Sequence, residues 1–128
     1  MTNINEIYKC EICGNITSVI ESGIGELVCC GQAIKLFEEN TLDAEGNEKH
    51  VPVVETYDGG VSVKVGSVLH PMEENHHICL IQLVKDNKVI IGKRLVPGEK
   101  PEASFCLANT EGITAKALCN VHGLWKSK

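Results

Sequence analysis

The chain is poor in aromatic residues, with two Phe, two Tyr and one Trp among 128 residues. Any core must therefore be built from aliphatic side chains. No apolar run approaches the roughly 18 residues that a membrane-spanning helix needs. The opening segment, MTNINEIYKC, has no basic stretch followed by an apolar one, so no signal peptide is expected. Basic residues are outnumbered, 12 Lys and Arg against 17 Asp and Glu, giving a net charge of -5. That balance lacks the basic footprint of nucleic-acid binding and offers nothing to an anionic membrane surface. Internal repeats and low-complexity segments are also missing. A hydrophobic share of 43% with 23% charged residues excludes a disordered, collagenous or coiled-coil chain and indicates a soluble globular one.

What is abundant is soft metal ligand: seven Cys and five His. Disulfides are one use for cysteine, but the count is odd, two cysteines are adjacent and no export signal is seen. A reducing cytoplasm is the expected compartment, where cysteine clusters more often bind metal.

Residues 1–38 stand apart. They carry Cys10, Cys13, Cys29 and Cys30, and the alternation of Ile16, Ser18 and Ile20 hints at a short strand. Segments below about 40 residues rarely sustain a core without metal, disulfides or a partner. The expectation is a small metal-organised domain over 1–38, an acidic linker or loop over 39–49, and a second domain completing 39–128. From His50 onward the pattern is β. VPVVETY and the alternating Val61, Val63 and Val65 flank the turn Asp58-Gly59-Gly60. HICLIQLV and KVIIGKRL flank Asp86-Asn87, and ASFCLAN and ITAKALC add further strands. No helical stripe is evident, and strands at this spacing predict an antiparallel sandwich.

Two constellations carry chemistry. Cys10-x2-Cys13 and the pair Cys29-Cys30 can supply four sulfurs, a set that suits zinc or iron. Adjacent cysteines reach one ion only if the chain turns there, because successive strand residues face opposite ways. Disulfides, or a structural zinc without chemistry, are the alternatives. In the β region, His50, His70, His76, Cys119 and His122 all fall where strands meet loops. Singly, each histidine reads as a surface or hydrogen-bonded residue. Together they form a set that suits iron, copper or zinc. Cys79 and Cys106 lie in apolar runs and read as buried structural thiols. His77 belongs to no motif, and Trp125 is expected to pack near the site.

The four-cysteine spacing resembles desulforedoxin. The segments EKHVP (48–52), GGVSVKVGSVLHPMEENH (59–76) and CNVHGLWK (119–126) resemble desulfoferrodoxin, the two-iron superoxide reductase family. The resemblance runs in order over almost the whole chain. It implies a desulforedoxin-like (rubredoxin-like) domain ahead of an immunoglobulin-like β-sandwich, in a homodimer. It implies iron at Cys10, Cys13, Cys29 and Cys30, and a second iron with four equatorial imidazoles from His50, His70, His76 and His122 and an axial thiolate from Cys119. Glu48 and Lys49 would sit on a loop over the open sixth position, the first binding ferric iron and the second guiding superoxide. The implied reaction is one-electron reduction of superoxide to hydrogen peroxide, with a rubredoxin-like electron donor. Two departures from the pattern are Asn75, where relatives often have lysine, and His77, where an aromatic is usual. A pure electron carrier and a zinc-stabilised binding module are the rival functions.

Overall fold

The structure is a computed structural model that describes residues 1–40, 50–66 and 70–127. Its described residues contain strands and turns and no helix. The chain divides into two compact units, Met1–Glu38 and Glu39–Lys128.

The small unit has a three-stranded antiparallel sheet in which β1 (Ile7–Lys9) lies between β2 (Ile16–Ser18) and β5 (Lys35–Leu36). A separate hairpin joins β3 (Val28–Cys29) to β4 (Gln32–Ala33). Its apolar interior is slight: Ile7, Cys10 and Val19 are buried. Ile20 and Ile24 are 86% and 93% exposed, and Ile12 and Val28 are also on the surface.

The larger unit is a two-layer β-sandwich. One layer orders β10 (Lys88–Arg94), β9 (Ile78–Lys85), β12 (Thr114–Cys119), β13 (Gly123–Lys126) and β6 (Glu39–Asn40). The other orders β11 (Glu102–Cys106), β8 (Gly60–Val65) and β7 (Pro52–Tyr57). The alternation read from the sequence places Val61, Val63 and Val65 at zero exposure, because every second side chain of a strand faces the core. They meet Ile78, Ile81, Leu83, Ala115, Ala117 and Cys119 from the facing layer. Burying each large aliphatic side chain contributes on the order of 1.5–3 kcal/mol, so the sandwich needs few aromatics. Phe105 is the one aromatic in this cluster.

Asp86 and Asn87 both take positive φ, 51° and 62°, in a two-residue turn between paired Lys85 and Lys88. That is the backbone hand that suits a tight hairpin.

The structure departs from the sequence reading in three places. β13 was not read as a strand. Glu39 and Asn40, at the start of the stretch read as linker, pair with it in parallel, so the sheet is not wholly antiparallel. Asn40 Nδ2 donates to Leu124 O at 3.2 Å and Lys116 forms an ion pair with Glu39. Cys106 is exposed rather than buried, because it alternates with the inward-facing Phe105.

Candidate metal centres

In the small unit, two turns bring four sulfurs together. After β1, Gly14 N donates to Cys10 O at 2.9 Å, closing a tight loop, with Gly14 at φ 86°. Within it Cys13 N donates to Cys10 Sγ at 3.5 Å. The second turn answers how adjacent cysteines reach one point. Cys29 ends β3, and Cys30-Gly31 are the two central residues of the hairpin, at φ 54° and 79°. Two positive φ values suit this turn, and glycine meets the demand freely. Cys30 takes the position that usually favours asparagine, and its side chain swings to the side of Cys29.

Cys13 Sγ lies 3.6 Å from Cys29 Sγ, and Cys29 Sγ lies 3.9 Å from Cys30 Sγ. A tetrahedron of sulfurs about 2.3 Å from a central ion has edges near ~3.8 Å. The donor set therefore fits one tetrahedral ion. Its electrostatics require a cation. Backbone hydrogen bonds from Cys13 and Ile12 bring the Cys10 thiol down to about 6. The sulfurs of Cys13, Cys10 and Cys29 push Cys30 up to about 12. Four thiolates do not coexist here without a compensating positive charge.

In the sandwich, five side chains from distant segments meet at one end. His50 precedes β7. His70 and His76 lie in the connection from β8 to β9, with His76 paired to Glu73 in an isolated bridge. Cys119 ends β12, and His122 lies in the turn to β13. Their ligand atoms all fall within 4.8 Å of one another. Opposite ligands around an ion with bonds of about 2.1 Å stand about 4.2 Å apart, and neighbouring ones about 3.0 Å. His50 Nε2 and His122 Nδ1 are 3.0 Å apart. The four rings form a closed circuit, His50–His70–His76–His122, with consecutive centroids 4.7–4.9 Å apart and interplanar angles of 67–82°. Cys119 Sγ lies 3.9 Å from His122 Nδ1. Four imidazoles in a closed circuit plus one sulfur can offer five donors to one ion.

Local hydrogen bonds orient the donors. His70 Nδ1 donates to Pro71 O at 2.7 Å, which leaves Nε2 as the lone-pair nitrogen. His76 Nε2 is buried with no hydrogen-bond partner, as a nitrogen aimed at an ion would be. His122 N donates to Cys119 Sγ at 3.4 Å, favouring its thiolate. Trp125 stacks on His50 at 4.9 Å and donates from Nε1 to His122 O at 3.1 Å, so it supports the site as expected. Cys119, His70 and His50 are buried while His122 is exposed, so the group has a closed floor and an open flank.

Glu48 and Lys49 lie outside the described residues. The His77 ring is not in the group of five. Cys79 is half-buried and donates to Leu118 O at 3.4 Å. Sequence reasoning missed Asn120, which binds the backbone on both sides of His76. Its place inside the CNVH motif was the available signal.

Comparisons with known proteins agree with this arrangement. Residues 42–128 match the desulfoferrodoxin family model and residues 2–37 the model of the desulfoferrodoxin N-terminal domain. The chain is 54% identical to desulfoferrodoxin of Desulfarculus baarsii over 96% of this chain and 95% of that one. Its N-terminal part is 53% identical over 32 residues to desulforedoxin of Megalodesulfovibrio gigas, covering 25% of this chain and 86% of that one. The crystal structure of superoxide reductase from Treponema pallidum matches with a TM-score of 0.77 and 29% identity, covering 96% of this chain and 97% of that one. With both of its parts matched and both donor clusters in place, the chain belongs to the desulfoferrodoxin family.

Proposed function

We propose that the chain is a superoxide reductase: superoxide, one electron and two protons give hydrogen peroxide. The observation that carries this reading is the closed circuit of four imidazoles with the Cys119 sulfur beside it and an exposed flank at His122. His50, His70, His76, Cys119 and His122 hold one iron, and Cys10, Cys13, Cys29 and Cys30 hold the other. An iron held by His50, His70, His76, Cys119 and His122 would supply the electron to superoxide. Residues 39–128 form the catalytic domain and 1–38 the Fe(Cys)4 domain.

The residues explain why a small anion is the substrate. Four neutral imidazoles and one thiolate around a ferrous ion leave a net charge of +1, which favours an anionic sixth ligand. The His122 N–H fixes the thiolate, and the Pro71 carbonyl fixes the His70 tautomer. The packed floor formed by Cys119 and its core neighbours keeps water from that side. Protons then come from the exposed flank. The chain's overall charge of -5 repels superoxide, but salt screens that beyond roughly 8 Å. A local cation governs the final approach, and Lys49 is assigned that role. Glu48 would be the carboxylate available to the oxidised ion.

The donor is taken to be a small rubredoxin-like carrier, and the compartment the cytoplasm, consistent with seven cysteines that are not joined in disulfides. The exposed Ile12, Ile20, Ile24 and Val28 of the small unit support a homodimer. Sedimentation should return twice the chain mass, and a single-chain mass would refute the dimer.

Cys119→Ser tests the function. It should abolish superoxide consumption while the visible absorption of the four-sulfur iron stays unchanged. Undiminished consumption would refute the assignment and favour an electron carrier.

A further inference from the structure

We propose that Asn120 is a positioning residue that locks the His76 loop to the Cys119 turn and so sets the shape of the five-donor site. The inference rests on reading that site as the iron centre.

The ladder between β9 and β12 breaks where the site begins. Leu118 stands opposite Leu80, but Cys119 stands opposite Ile78, leaving Cys79 as an extra residue. Such a bulge re-aims side chains and interrupts pairing. Here it shifts Cys119 by one residue from the register of Leu118 and Leu80. Beyond the break, Asn120 supplies hydrogen bonds between the two segments. Its backbone N donates to His77 O at 3.2 Å. Its Oδ1 accepts from His77 N at 2.9 Å. Its Nδ2 donates to Asn75 O at 3.2 Å. The Asn120 side chain therefore grips the backbone immediately before and immediately after His76.

His76 itself bonds within its own loop. Its N donates to Glu73 O at 3.2 Å, and its O accepts from Glu73 N at 2.9 Å. Gly98 N donates to Met72 O at 3.0 Å and holds the loop just before Glu73, while Asn120 ties it on either side of His76. The residue type matters chemically. A carboxamide offers, on two separate atoms, an acceptor to one backbone N–H and a donor to a backbone C=O without adding charge. Aspartate keeps the acceptor, loses the donor and places a negative charge beside the thiolate. Alanine loses both.

The test uses the full-length iron-loaded chain with Asn120→Ala and Asn120→Asp. Ferrous ion at the His/Cys site is titrated against a competing chelator, and the sulfur-to-iron absorption is recorded. Partners that orient metal ligands typically govern affinity by about 10–100-fold. Asn120→Ala should weaken iron binding by that order and shift the sulfur-to-iron band. Asn120→Asp should show a smaller loss, and the four-sulfur iron should stay unchanged in both. A purely structural role would lower the thermal midpoint yet leave the dissociation constant and the band unmoved, and that result overturns the proposal. If the alanine variant does not fold, the aspartate variant decides by the same two readouts. A wild-type chain that takes up no iron at this group refutes the proposed function instead.

Discussion

The two donor clusters are built in opposite ways. Cys10, Cys13, Cys29 and Cys30 lie within 21 consecutive residues and sit on two tight turns. His50, His70, His76, Cys119 and His122 span 73 residues and meet only because two sheets pack. In the small unit the ion and the fold are one problem, because three buried apolar residues cannot hold 38 residues in place. In the sandwich the core exists first and the donors hang from its end. The first arrangement trades independence for compactness. The second yields a site with a rigid floor and an open side, which is what binding a small substrate requires.

The largest expected effect breaks the small unit alone. Metal binding to such sites is worth about 10–16 kcal/mol of folding free energy. Cys10→Ala should therefore remove amide protection from Ile7, Tyr8 and Lys9 in hydrogen exchange while β9 and β12 stay protected. Retained protection in β1 would show that the small unit folds without its ion. The reverse experiment is Ile81→Ala, at a fully buried position of β9. It should destabilise the sandwich by about 2–5 kcal/mol in denaturant unfolding and leave the four-sulfur absorption intact. Simultaneous loss of both signals would contradict the separation.

A smaller effect concerns protons. Cys10, at about 6, is ionised near pH 7.5, whereas neighbouring sulfurs raise Cys29 and hold Cys30 at about 12. Iron uptake at this cluster should release at least the two protons of Cys29 and Cys30, so its affinity falls as pH falls. Calorimetry in buffers of different ionisation enthalpy counts them, and release of none would refute the charge assignment. The smallest effect is expected for Lys49→Ala. It should slow association with superoxide at low ionic strength and flatten the salt dependence. An unchanged rate at low salt would remove Lys49 from steering.

Legibility in the sequence followed the same division. The four-cysteine site was readable because its spacing is local, although the positive φ of Cys30 that brings adjacent sulfurs together was not. The hairpins β7–β8 and β9–β10 were readable from Asp58-Gly59 and Asp86-Asn87 and the alternation around them. β13 and β6 were not, since four residues and two residues form no period and exist only through their pairing. Cys106 was placed inside because its run is apolar, while strand alternation turns it outward. The five-donor site was readable as a set from its places where strands meet loops and from motif resemblance, but its closed ring of imidazoles was not, since that depends on packing between layers. Asn120 illustrates the remainder. Its role comes from a break in register between Leu118 and Cys119 that no spacing rule announces.

The most direct test of the central claim is the product stoichiometry of the reduced chain mixed with superoxide. The account predicts one hydrogen peroxide per superoxide consumed and no oxygen. Oxygen released at half the superoxide consumed would mark dismutation and contradict it.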